Sequence, residues 1–242
     1  MDLHNYTLGP PISTYGPNAK VTVILGIVGL LLCLLALFVA TEAKDLIAWT
    51  IFYALTALYG GVLLQQLCSR VWLHETGISW RGILGHGGMR WLEVERIYFS
   101  AYEVHAHYIP LGRFYRLKLI STHGQKVSLG ERVRGGQELI GEIAKFTLKP
   151  MMEKAKLSFD NGQTVEFGAI HVNRSEGMTV KRWYSDKKIA WQEIEGYECN
   201  DSSFEIRRFK KLLAVKVSSE QIANAHVLRA LLARVMHHVW QR

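Results

Sequence analysis

Charge is missing from two long stretches of this sequence. Val21 to Ala40 (VTVILGIVGLLLCLLALFVA) and Leu46 to Leu67 contain no Asp, Glu, Lys or Arg. A helix rises about 1.5 Å per residue, so about 20 apolar residues cross a hydrocarbon core about 30 Å thick. Only Thr41-Glu-Ala-Lys-Asp45 separates the two runs, which leaves room for a tight turn and nothing more. The pattern predicts a transmembrane helical hairpin over 21–68, preceded by an N-terminal tail at 1–20. A cleaved signal peptide explains the first run less well. The run is too long for an h-region, its leader carries one basic residue, Lys20, and a second span follows at once.

Cysteine is scarce: Cys33, Cys68 and Cys199. Cys33 lies deep in the first run and Cys68 at the end of the second, so antiparallel spans hold them at different depths. That excludes a disulfide framework there and fits a reducing compartment. Also lacking are a Gly-x-Ser-x-Gly elbow, a His-Glu-x-x-His pair and a Walker motif. Nothing in the sequence argues for an enzyme or a cofactor.

What is present in excess is basic charge, unevenly placed. Residues 1–70 hold three basic and three acidic side chains, so the whole net charge of +8 belongs to residues 71–242. Arg70 and Arg81 flank the exit of the second run, whereas the connecting turn sets one Lys against Glu42 and Asp45. Lys and Arg accumulate on the cytoplasmic side of a membrane, so both termini are expected there. Trp49 and Tyr53 near the turn suit the interface.

The soluble part reads as a repeat. Trp91-Leu-Glu-Val-Glu-Arg-Ile97 and Trp191-Gln-Glu-Ile-Glu-Gly-Tyr197 share Trp-x-Glu-aliphatic-Glu, one hundred positions apart. Fourteen residues before each Trp stands a Gly, Gly77 and Gly177. A Trp and an aliphatic residue three positions on cannot share one side of a continuous strand. The motif therefore predicts a turn or bulge, with the indole covering a core and the side chains of Glu93 and Glu193 holding backbone donors. Strands follow in the first copy at Phe114–Ile120 and Lys126–Leu129. A helix after Gly136 carries Leu139, Ile143 and Phe146 on one face, and Pro150 is expected to end it. In the second copy Asn161-Gly162 signals a type I′ hairpin. Strands follow at 169–173, 178–183, 188–190, 194–199, 204–209 and 213–217, then a helix with Val227, Leu228, Leu231, Leu232, Val235 and Val239 on one stripe. About seven short strands and a C-terminal helix is the order of a pleckstrin-homology-like (PH-like) barrel. The predicted class is membrane-anchored α+β: a hairpin followed by two PH-like barrels, at 69–150 and 151–242, each with a C-terminal helix.

The stretch LSFDNGQTVEFGAIHVNRSEGMTVKRWYSDKKIAWQEIEGY, with IANAHVLRALL near the end, resembles a bacterial family of membrane-anchored proteins with PH-like domains, known largely as a domain of unknown function. The resemblance is clearest in Phe167-Gly168, Gly177, Trp191, Glu193 and Ile194-Glu195. It implies a fold and an anchor, and brings no catalytic residue. The implied location is a bacterial inner (plasma) membrane.

Four clusters invite chemistry. Arg81-Gly-Ile-Leu-Gly-His-Gly-Gly88 is glycine-rich, but a strand rather than a helix N-terminus follows it, so it reads as a hairpin and not a phosphate cradle. Glu103, His105 and His107 share one strand face, the solvated one, and lack the convergent partners that a zinc site needs. His237 and His238 diverge on the last helix, so no metal is expected. The basic pairs Lys181-Arg182, Lys187-Lys188, Arg207-Arg208 and Lys210-Lys211 lie in hairpins or strand ends. They read as a solvated surface or as a contact for anionic lipid. Nucleic acid is not expected, because no stacking platform accompanies the charge.

The function these readings favour is a non-enzymatic adaptor or scaffold that presents tandem PH-like domains to a cytoplasmic protein or a lipid headgroup. Its partners are membrane lipid and an unidentified protein. The alternative is a structural subunit that forms a homo-oligomer through Gly26, Gly29, Gly60 and Gly61.

Overall fold

The first two strands of one sheet lie on either side of the apolar helices. In the structure, a computed structural model, these are β1 (Pro11–Tyr15) and β2 (Arg70–His74), with α1 (Ala19–Ala43) and α2 (Leu46–Cys68) between them. β3 (Gly77–Gly82) and β4 (Gly85–Arg90) complete a four-stranded antiparallel sheet in the order β1-β2-β3-β4. The structure describes residues 8–43, 45–82, 85–106, 109–129, 133–182, 184–200 and 202–240, without the side chains of 20–21, 102–114 and 237–240. Glu103, His105, His107, His237, His238 and Val239 thus lie outside the described side chains. The chain divides into two units, Met1–Arg90 with Glu131–Gly135, and Trp91–Gly130 with Gly136–Arg242.

In the first unit, residues 11–15 of the expected tail form an edge strand, with Thr14 opposite Trp72 and Tyr15 opposite Val71. Leu73, Ile78 and Met89 lie in register across β2, β3 and β4 and are fully buried. They form the buried face of the sheet, as period-2 side chains do. Gly82 pairs with Gly85, so the glycine-rich segment is a hairpin whose tip residues 83–84 lie outside the described residues.

Asp45 caps α2, its Oδ1 accepting from Ile47 N at 3.3 Å. That cap stabilises the start of α2, because a carboxylate satisfies a donor that a helix start leaves open. A Cβ on Gly29 would run into the ring of Tyr59, and Cys33 Sγ lies 3.7 Å from Thr56 Oγ1. These contacts zip the helices antiparallel. Their other faces expose leucine, isoleucine, valine and phenylalanine along the whole length. Both helices are long and apolar enough to cross a membrane.

The second unit opens with a 3-10 turn at Trp91–Glu93, then β5 (Val94–Ala106), β6 (Ile109–Ser121) and β7 (Lys126–Leu129) in one antiparallel sheet. α3 (Gly136–Asp160) follows, then β8 (Val165–Phe167), β9 (Ile170–Asn173), β10 (Gly177–Val180) and β11 (Lys187–Ile189), ordered β11-β10-β9-β8. A second 3-10 turn, Trp191–Glu193, leads into β12 (Ile194–Cys199), β13 (Ser203–Arg208) and β14 (Val215–Ser218), and α4 (Ala225–Trp240) comes last. Phe167, Ile170, Met178 and Ile189 of the four-stranded sheet share one core with Phe204, Ile206 and Val215 of the three-stranded sheet. Val227, Leu228, Leu231 and Leu232 of α4 belong to the same core, spaced for one helix face. Asn224, at φ +52°, ties the start of α4 to β5, its Nδ2 donating to Glu95 O (2.9 Å) and its Oδ1 accepting from Ile97 N (2.8 Å).

Two expectations fail around α3. Pro150 does not end the helix, which runs on to Asp160. A proline inside a helix removes a hydrogen bond, but Ala155 and Phe159 beyond it are buried in the second core, and Met151 and Met152 pack against that core. Burial outweighs the lost bond. The segment 156–160 is therefore helical, and a boundary at 150 falls inside one helix. Asn161-Gly162 is not a hairpin turn. Gly162, at φ +74°, donates to Phe159 O (3.0 Å) and Gln163 N donates to Ser158 O (2.9 Å), the two bonds of a Schellman helix ending.

Candidate functional site

The repeated motif forms two corners of one design. Trp91 is 5% exposed and Trp191 is 7% exposed, and Val94 and Ile194 are buried beside them. The 3-10 turn lets residues three apart share a side, which a strand forbids. Trp191 Nε1 donates to the carbonyls of Asn173 (3.1 Å) and Arg174 (3.0 Å), and its ring meets Phe159 edge-on. Trp91 lies flat on Phe146, with ring centroids 5.5 Å apart.

The backbone of each glutamate anchors its corner. Glu93 O accepts from Thr122 N at 2.8 Å, and Glu193 O accepts from Phe209 N at 2.9 Å. The Glu193 side chain is exposed. A backbone carbonyl held in place by the turn, rather than a carboxylate bond, is what Glu193 supplies. The glycine before each corner makes room for the neighbouring strand. A Cβ on Gly77 would collide with Met89 O, and one on Gly177, at φ +97°, with Ile189 O. These residues build the framework.

The basic residues fall in two connections, the β10–β11 hairpin and the β13–β14 hairpin. Lys181 and Arg182 follow β10, Lys187 and Lys188 open β11, Arg207 and Arg208 end β13, and Lys210 and Lys211 lie in the connection to β14. Among the described residues, two of the eight are engaged by carboxylates: Lys188 Nζ lies 3.4 Å from Glu176, and Arg207 Nη2 lies 3.1 Å from Glu198. Three of the others lie near Lys187. Partial burial first, then the positive charges of Arg208, Arg182 and Lys211, hold the Lys187 ammonium below the ordinary lysine range. Arg208 Nε is buried without a hydrogen-bond partner among the described residues.

Sequence reasoning missed the exposed apolar residues in these connections. Leu212 is 105% exposed, Leu213 81% and Phe209 53% in one, and Tyr184 95% in the other. The signal was the run Phe209-Lys-Lys-Leu-Leu213 at a turn, where polar residues are the rule. The sequence pattern puts Leu213 in a strand, but β14 starts at Val215. Trp183 lies outside the described residues.

No curated protein matches the chain in sequence. Among solved structures, a chain of "Structure of the Spt16D Pob3N heterodimer" is similar at 12% identity, covering 62% of this chain and 87% of that one, with a TM-score of 0.17. A likeness at that level carries no function across. The match that covers the chain is to a family of unknown function, DUF6585, over residues 1–240, and the chain belongs to that family.

Proposed function

We propose that this chain is a non-enzymatic adaptor or scaffold, anchored in a bacterial inner membrane by α1 and α2, that presents two tandem PH-like domains to a cytoplasmic protein or a lipid headgroup. The pairing of β1 with β2 carries the reading. Helices of 25 and 23 residues span roughly 35 Å, enough for a hydrocarbon core. With hydrogen-bonded strands before and after the pair, both flanking segments leave the bilayer on the same face. Arg70 and Arg81 lie past α2, against Glu42 and Asp45 in the turn, which favours a cytoplasmic location for that face. The PH-like reading is supported by the order four strands, 3-10 corner, three strands, helix, which occurs twice.

Photo-crosslinking in intact cells from probes on the β10–β11 and β13–β14 connections, followed by mass spectrometry, tests the adaptor role. Adducts to lipid or to one distinct cytoplasmic protein are expected. Adducts confined to other copies of the chain would instead favour the structural homo-oligomer. For that alternative, Gly26, Gly60 and Gly61 leave open backbone in the helices, whereas Gly29 is already covered by Tyr59.

A further inference from the structure

We propose that the tip of the β13–β14 connection, led by Leu212 and Leu213, inserts into an anionic lipid leaflet, with the surrounding cations seated among the headgroups. The inference rests on the membrane-anchored reading above.

The tip is apolar. Leu212 and Leu213 are almost wholly exposed, and Phe209 is half-exposed. Leucine side chains on a monomer's surface are ordinary singly, but two adjacent ones at a hairpin tip form a patch that water solvates poorly. The loop is built to project them. Lys210 sits at φ +58°, an uncommon conformation for a side-chain-bearing residue, and Lys211 N donates to Arg208 O at 3.2 Å to close the turn. The strand pairs Ile206–Val215 and Val180–Lys187 fix the bases of the two hairpins.

Cations flank these leucines: Lys210 and Lys211 precede them in the same connection, and Arg182, Arg208 and Lys211 lie close enough to Lys187 to disfavour its charge, against one acid in the two loops among the described residues, Asp186. Long basic side chains can lay their stems along apolar surface while the charge reaches a phosphate. An apolar tip flanked by cations matches the boundary between acyl chains and anionic headgroups. A peptide would call for a groove at the apex, whereas these leucines project outward.

The test uses the full chain with Cys33, Cys68 and Cys199 replaced by Ser and a polarity-sensitive fluorophore on Leu212→Cys. It is reconstituted in phosphatidylcholine vesicles or in equimolar phosphatidylcholine and phosphatidylglycerol, with or without acyl-chain nitroxide quencher. Blue-shifted emission, quenched at least about twofold, is expected in the anionic vesicles alone. Lys210→Gln with Lys211→Gln should reduce it. A probe on Ser175→Cys, at the opposite end of β10, should stay unquenched. A Leu212 probe that remains in water in both vesicles overturns the insertion, and so does equal quenching in the uncharged vesicles. A shift with soluble glycerol phosphate and no quenching assigns the cations to a free phosphate instead. A shift that follows protein density but not quencher assigns the tip to a second copy. Chain that alkaline carbonate extracts from the vesicles refutes the anchor as well, whereas anchored chain with an unquenched tip refutes the insertion alone.

Discussion

Two four-stranded sheets in this chain start differently. β8 and β9 are joined by Gly168 and Ala169, whereas β1 and β2 are joined by residues 16–69, which contain both apolar helices. The short connection is a tight one: Gly168 has φ +68°, and a Cβ there would strike Gln221 O. The long one leaves the sheet intact, because the entropic cost of closing a connection grows slowly with its length. An apolar helical hairpin can thus sit in a sheet edge without disturbing the strands that follow. After that difference the two copies converge on the same glycine, the same 3-10 corner and the same order of strands and helix.

The corners offer the sharpest way to break that equivalence. Trp191→Ala and Trp91→Ala should each cost about 3–5 kcal/mol, the range for emptying a buried aromatic site. Denaturant unfolding of the full chain in detergent measures it. A harmless Trp191→Ala beside a costly Trp91→Ala would show that the shared motif supports only one copy. Gly177→Ala should cost about 1–3 kcal/mol from strain at positive φ combined with the clash on Ile189 O. Gly77→Ala, which meets Met89 O without a positive φ, should cost less in the same assay.

A third difference concerns the histidines. In the first unit His74 bonds Gly9 O (2.9 Å) and Ser79 Oγ (2.8 Å). In the second, His226 lies against Thr147 Oγ1 (3.2 Å), and burial lowers its pKa from 6.5 to about 4. The fold keeps the ring neutral, while the unfolded chain takes a proton near 6.5. Stability from this group is therefore complete above about pH 6.5 and declines as the pH falls toward 4. At about pH 5 the loss should be about 2 kcal/mol. Comparing unfolding midpoints at neutral pH and at about pH 5 checks it, with His226→Gln expected to flatten the difference.

Much of this was legible in the sequence, and the failures share a cause. Uncharged runs exposed the helices, and the one-hundred-residue spacing of Gly and Trp exposed the repeat. β1 was not legible because Pro11-Ile-Ser-Thr-Tyr15 is short and its partner lies beyond the helices, so no local period links them. Helix α3 outran Pro150 because tertiary burial of Ala155 and Phe159 decides its length. Asn161-Gly162 suits both a tight turn and a helix ending, and only the chain before it chooses. At the basic cluster the charges were visible. Leu213 looks like the start of a strand until the register of β13 with β14 leaves it outside.

The pairing of β1 with β2 around a membrane-crossing hairpin is the central claim, and one gel tests it. A chain with its three cysteines replaced by Ser would carry Thr14→Cys and Trp72→Cys, which face each other across the strands, and a protease site after Ala43. After mild oxidation, protease is added outside bacterial spheroplasts. The account predicts cleavage, with the fragments held as one band until reductant separates them. Fragments that separate without reductant would contradict the strand pairing, and an uncut chain would contradict a turn on the outer face.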